Sequence, residues 1–225
     1  MAKTHIIAFE GIDGSGKTLQ VELLYRELLR RGHTVLVKSF PVYESFFGTQ
    51  VGKLLKGDGD VRADQVDSKS MCLWYALDRW SDFQAYADGD YDFLLINRFV
   101  LSNAVYQSAR DRDRGMDDNW EWVKQLEFGR FGLPVPDVTV ILDVEPVHAA
   151  GNVDKKGYRD YVGNAKDSYE MQEGLQERAR ARYRGICDRE ESMALIECME
   201  HSRLKEPEAV ASAVVCELQK RGIIG

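Results

Sequence analysis

At 225 residues, 44% of them hydrophobic, the chain is long enough to bury one sizeable core and is read as a single domain over 1–225. Its net charge of −7 argues against a nucleic-acid partner, which calls for a basic surface. No apolar run has the length of a membrane span or the pattern of a signal sequence. Cys72, Cys187, Cys198 and Cys216 form no CxxC pair or metal spacing, so a reducing, cytoplasmic setting is expected.

The first strand is expected over 5–9. It runs into Gly11-Ile12-Asp13-Gly14-Ser15-Gly16-Lys17-Thr18, which fits G-x-x-x-x-G-K-[ST] at every fixed position. Leucines at helical spacing follow over 19–31 and stop at Gly32. In a strand, loop, helix context the backbone N–H groups of such a loop curl around phosphate oxygens and the helix start adds its dipole. Lys17 then reaches the outer phosphates and Thr18 serves a bound Mg²⁺. The loop is therefore assigned to a nucleotide.

Further strands are expected over 34–39, 93–96, 138–143 and 193–198, with helices over 65–87, 102–109, 119–131, 168–188 and 207–221. Alternation of this kind implies an α/β fold: a five-stranded parallel sheet flanked by helices, with the ligand outside the carboxyl ends of the strands. One stretch, about 148–168, breaks the pattern. It is polar, rich in Gly and Asn, and carries Lys155, Lys156, Arg159 and Lys166; it is read as an inserted, phosphate-facing lid.

Several segments beyond the loop narrow the function. Phe9 to Gln20 reads FEGIDGSGKTLQ. Phe40-Pro41-Val42-Tyr43 follows the second strand, and Trp74-Tyr75-Ala76-Leu77-Asp78-Arg79 lies in the second helical stretch, 65–87. Asn97-Arg98-Phe99-Val100-Leu101-Ser102-Asn103-Ala104-Val105-Tyr106-Gln107 begins where the third strand ends. Later come 127–137, EFGRFGLPVPD, and Lys166-Asp167-Ser168-Tyr169-Glu170. Together, and in this order, they resemble the thymidylate kinase family of P-loop nucleoside monophosphate kinases, whose motifs are FEGxDGxGKTxQ, FPxY, aromatic-x-x-[DN]-R and DRYxxSNxAYQ.

The resemblance implies transfer of the γ-phosphoryl of ATP to dTMP with Mg²⁺, in a homodimer. Tyr75 would stack on the thymine, Arg79 and Asn103 would bind its edge, and Tyr106 would crowd the 2′ position of the sugar. Asp13 would hold the sugar 3′-OH, with Phe40, Tyr43, Gln107, Asp167 and Tyr169 completing the acceptor site. Lys17, Arg98, Asp13 and Arg159 would carry catalysis, Arg98 spanning donor and acceptor phosphates as charge spreads in line. Thr18 and Asn97 would face the metal. The loop after Cys198, with His201, Ser202 and Arg203, would face the adenine, and helical residues such as Met71, Trp74 and Leu77 would serve the dimer.

Each residue also has a plainer reading. Trp74 and Tyr75 sit among leucines and fit a core. Asp13 fits a turn, Arg98 a surface ion pair, and Asn103 a helix cap. The chain also departs from the family in three places: Asn97 stands where Asp is usual, no arginine flanks Pro41, and Gly14-Ser15 replaces a loop arginine. A kinase of the same fold with another acceptor (dUMP, UMP, CMP or a deoxynucleoside) and a weakly catalytic P-loop binding protein are the competing readings. No guanine-reading N-K-x-D occurs.

Overall fold

In a computed structural model, residues 3–58, 60–111, 119–155, 169 and 172–225 are described. The expected sheet is present. Strands β1 (His5–Glu10), β2 (Val35–Ser39), β3 (Phe93–Asn97), β4 (Val138–Asp143) and β5 (Met193–Glu197) stand in the order β2-β3-β1-β4-β5, every neighbouring pair parallel. The central strands β3 and β4 are buried along nearly their whole length. Ile7, Phe9, Leu94, Leu95, Ile96, Ile141 and Leu142 fill both sides of the sheet. Such unbroken apolar runs are what a parallel sheet covered on both faces requires, each such side chain contributing roughly 1.5–3 kcal/mol.

Helices α1 (Lys17–Arg30) and α8 (Pro207–Lys220) pack on each other in one layer, and α3 (Ser68–Phe83), α4 (Val100–Arg110) and α7 (Leu175–Cys187) pack together in another. Two caps explain where helices begin. Asp67 accepts from Ser70 N–H at 3.0 Å ahead of α3, and Ser45 accepts from Gly48 N–H at 2.8 Å ahead of α2 (Phe46–Lys56). The sequence pattern had not marked α2. The expected 119–131 helix divides into a short α5 (Trp120–Lys124) and a wider π-turn, Gln125–Arg130.

The segment read as a lid starts inside a helix, α6 (Pro146–Lys155), and its remainder, 156–168, lies outside the described residues. Short strands β6 (Met199–Glu200) and β7 (Arg203–Leu204) pair antiparallel after β5, with His201 and Ser202 in the left-handed region at their turn. Register sets the working edge of the molecule. Phe9 lies beside Asn97, and Asn97 beside Ser39, so the carboxyl ends of β1, β3 and β2 meet where the phosphate loop leaves the sheet.

Candidate active site

The loop after β1 is built to keep its backbone bare. Gly11 has φ 136, and a Cβ there would lie 2.7 Å from the Leu142 carbonyl oxygen. Gly16 caps α1 at φ 90 with no side chain on the helix end. The first-turn N–H groups thus stay open to an anion. Lys17 is buried, its Nζ donating to the carbonyls of Gly11 at 2.9 Å and Ile12 at 2.7 Å, with Ser15 Oγ at 3.3 Å. From α6, Asn152 Nδ2 donates to the Gly14 carbonyl at 3.0 Å.

At the foot of α1, Asn97 Nδ2 donates to Thr18 Oγ1 at 3.3 Å and to Ser39 Oγ at 3.1 Å. Its Oδ1 is buried with no partner among the described residues. Among those residues no cluster of three His, Cys, Asp or Glu side chains is suited to a metal. Thr18 Oγ1 and Asn97 Oδ1 are the neutral oxygens here of the kind that could help hold a hard cation, which would bring phosphate and water oxygens with it. Two other acids near the loop are committed elsewhere. Glu10, fully buried, accepts from the N–H groups of Phe99 at 2.8 Å and Ser102 at 3.1 Å and so caps α4. Asp143 takes Arg180 through two bonds, 2.7 and 2.9 Å, and Arg184 at 2.6 Å.

Beside the loop opens a cavity of about 420 Å³ at the ends of β1, β2 and β3, reaching α3 and α4. It brings together Asp13, Phe40, Tyr43, Tyr75, Arg79, Arg98, Asn103, Tyr106, Gln107 and Tyr169, residues the sequence nominated from five separate segments. Asp13 joins it to the phosphate loop. Its carboxylate pairs with Arg98 and lies 3.0 Å from both the Tyr106 hydroxyl and Gln176 Nε2. Burial alone would raise the Asp13 carboxyl, yet Arg98, Lys17 and those two hydrogen bonds hold it down at about 2. Burial, with the Asp13 charge beside it, pushes the Tyr106 hydroxyl well above its usual range, so it stays a donor. Arg98 itself sits at φ 64, a left-handed backbone that costs a non-glycine residue on the order of 1–3 kcal/mol, held where β3 turns into α4.

Phe40 and Tyr75 provide apolar walls, Phe40 being buried in a ring cluster with Phe83 and Phe99. Arg79 and Asn103 line the same cavity. Arg79 is almost fully buried and forked onto Glu127 by Nε at 2.6 Å and Nη2 at 2.7 Å. Asn103 Nδ2 donates to Glu127 Oε1 at 2.9 Å and to the Cys72 carbonyl at 3.0 Å, and its Oδ1 has no partner among the described residues. Tyr169 stacks on Tyr106 with centroids 6.3 Å apart, and its hydroxyl receives Gln107 Nε2 at 3.1 Å and Arg110 Nη1 at 2.9 Å. Burial pushes that hydroxyl up to about 12. Asp78 fastens the Phe40–Tyr43 segment from below, accepting from Val42 N–H at 2.9 Å and Ser45 Oγ at 2.7 Å.

Arg159 and Asp167 lie outside the described residues. The sequence reading did not single out Gln176, or Glu10, Asp78 and Glu127 in the roles they hold here. Glu127 and Asp78 stood within quoted segments, and Glu10 flanked the loop; Gln176 had no local signal at all. The helical residue Met71 proves fully buried in the core, not on an outer face, and Trp74 packs against Phe47.

A family model described as thymidylate kinase matches residues 9–205. The chain belongs to the thymidylate kinase family. It is 35% identical over 182 residues to the thymidylate kinase of Mycobacterium tuberculosis, covering 79% of this chain and 83% of that one. Its identity to the thymidylate kinase of Trichodesmium erythraeum is 31%, over 77% of this chain and 82% of the other. The solved thymidylate kinase of Candida albicans shares the fold, with a TM-score of 0.75 over 99% of this chain and 94% of that one at 19% identity. Family membership accounts for the order in which the loop, the Phe40 segment, the α3 motif and the Asn97–Gln107 motif converge on one cavity.

Proposed function

We propose that the chain transfers the γ-phosphoryl group of ATP to dTMP, giving dTDP and ADP. The observation that carries this reading is the Asp13–Arg98 pair, which joins an open phosphate loop to a cavity with apolar walls and an Arg–Asn pair in its lining. The β- and γ-phosphates of ATP rest on the N–H groups of Gly14 to Thr18 and on Lys17. Thr18 and Asn97 would hold Mg²⁺, and the ion would supply neutralisation of charge on the phosphates. Tyr75 and Phe40 enclose the thymine, Arg79 and Asn103 bind its edge, and Tyr106 closes the 2′ side of the sugar. Asp13 receives the 3′-OH, while Tyr43, Gln107 and Tyr169 shape the remaining wall and Asp167 adds to it.

Catalysis is then positioning and electrostatics: Arg98, already bent toward Asp13, lies between the two phosphate groups and stabilises charge as it spreads over the equatorial oxygens. Arg159 supplies a second cation from the segment after α6. Among the described residues no helix is long and apolar enough to cross a membrane, which accords with a cytoplasmic enzyme acting on free nucleotides. The test is ADP release from Mg-ATP with dTMP, dUMP, UMP, CMP, dGMP and thymidine in parallel, with Lys17→Ala as the blank. Strong turnover on dTMP that vanishes in Lys17→Ala is expected; preference for another acceptor, or full activity in Lys17→Ala, overturns the reading.

A further inference from the structure

Among the described residues, Glu127 is the acid that touches both residues offered to the base. It is fully buried on the π-turn, and its carboxylate accepts from Arg79 Nε, Arg79 Nη2 and Asn103 Nδ2. Its carboxylate and the Cys72 carbonyl are both acceptors, so the Asn103 side chain has only one satisfied orientation: nitrogen toward Glu127 and Cys72, oxygen away from them. Arg79 gives Nε and Nη2 to the same carboxylate, which leaves Nη1 as its remaining amino group.

We infer that Glu127 sets the hydrogen-bond polarity of the base-reading pair, so that the cavity selects an acceptor whose base carries a ring N–H beside a carbonyl oxygen. The inference rests on the acceptor site proposed above. Asn103 Oδ1 accepts the ring N–H and Arg79 Nη1 donates to the neighbouring carbonyl. Cytosine in the same pose turns a ring-nitrogen lone pair toward Asn103 Oδ1, and two facing acceptors repel in a dry site. Glu127 thus acts as a positioning residue; it touches Arg79 and Asn103 and leaves the base contacts to them.

The replacement Glu127→Gln keeps the shape but removes the charge and sets an amide donor among the donors of Arg79 and Asn103, so that the Asn103 orientation is held by the Cys72 carbonyl alone. Steady-state rates with saturating ATP should show the ratio of kcat/KM for dTMP over dCMP falling about tenfold or more, through a higher KM for dTMP. The KM for ATP should stay within about twofold, a split that a general loss of structure does not produce. A folded Glu127→Gln protein that keeps the wild-type ratio overturns the inference while leaving the acceptor reading intact. Wild-type protein that prefers no pyrimidine monophosphate overturns both. Because the variant removes a buried charge and can unfold, the unaltered chain gives a second test. It should bind N3-methyl-dTMP and dCMP at least about tenfold more weakly than dTMP, and equal binding of the three overturns the inference.

Discussion

Asp13 shows how one side chain carries both a structural and a chemical load. Its folded carboxyl titrates at about 2 against an ordinary 3.8, so the native state binds its proton less readily than the unfolded chain does. A depressed acid contributes stability that is complete above the unfolded value and lost as pH falls toward the folded one, about 2 kcal/mol for a shift of this size. The nucleotide-free protein should therefore lose stability between about pH 4 and pH 2, and Asp13→Asn should flatten that slope in urea melts; an unchanged slope would show that other carboxylates govern it. Asn97 calls for a different measurement. Its Nδ2 is spent on Thr18 and Ser39 while Oδ1 has no partner among the described residues, so in the proposed metal site the residue would offer one neutral oxygen. Asn97→Asp adds a charge, and both neighbouring hydroxyls can turn to donate to it. The Mg²⁺ concentration for half-maximal rate should fall several-fold, about 3–10-fold, with turnover no lower. A large drop in rate would mean that the neutral side chain is matched to its place.

At the scale of elements, the cavity is positioned by carboxylates that reach between helices and loops. Asp78 on α3 holds Val42 and Ser45, and so the Phe40–Tyr43 wall. Gly48 of α2 lies so near that a Cβ there would fall 1.8 Å from the Val42 oxygen. Asp78→Ala should raise KM for the acceptor about tenfold while leaving KM for ATP nearly unchanged, since the phosphate loop is anchored separately; equal rises in both would place Asp78 in general stability instead. The same elements show why the fold was mostly legible and the site only partly. β1, β3 and β4 are apolar runs between loop signals, and a run buried on both faces announces itself. α2 was hidden because Gly48 and Gly52 dilute its pattern; both are buried, and close approach to Val42 explains the first. α6 contains Gly151, Asn152 and Asp154, weak helix formers whose local preference gives way here to a helix with Asn152 on the loop. The partners that hold the site in place are remote in sequence, Gln176 lying 163 residues from Asp13 and Glu127 lying 48 from Arg79. No periodicity or spacing links such pairs. Motifs gave the residues that line the cavity, and the fold alone supplies those that hold them.

For the whole molecule the open question is how many copies act together. The α3 helix faces two ways: Tyr75 and Arg79 turn to the cavity, while Leu73 and Trp80 are about two-fifths exposed and Leu77 is half-buried between them. Positions 73, 77 and 80 fall on one helical stripe, and the Phe131 ring extends it at 5.9 Å from Trp80. A stripe of large apolar groups is an expected feature of a two-fold interface and a liability on a monomer. Met71, first considered for that contact, belongs to the core, so the stripe is narrower than the sequence suggested. We expect light scattering to give twice the chain mass of 25.6 kDa, and Leu73→Glu with Trp80→Glu to give the single mass, because a two-fold axis brings each introduced charge near its own copy. Because α3 also carries Tyr75 and Arg79, separating the copies removes a support behind the base end of the cavity. The monomeric variant should therefore show a higher KM for the acceptor at an unchanged KM for ATP. A wild-type chain that runs at 25.6 kDa would sink the homodimer outright, and a charged variant that stays double would move the interface off α3.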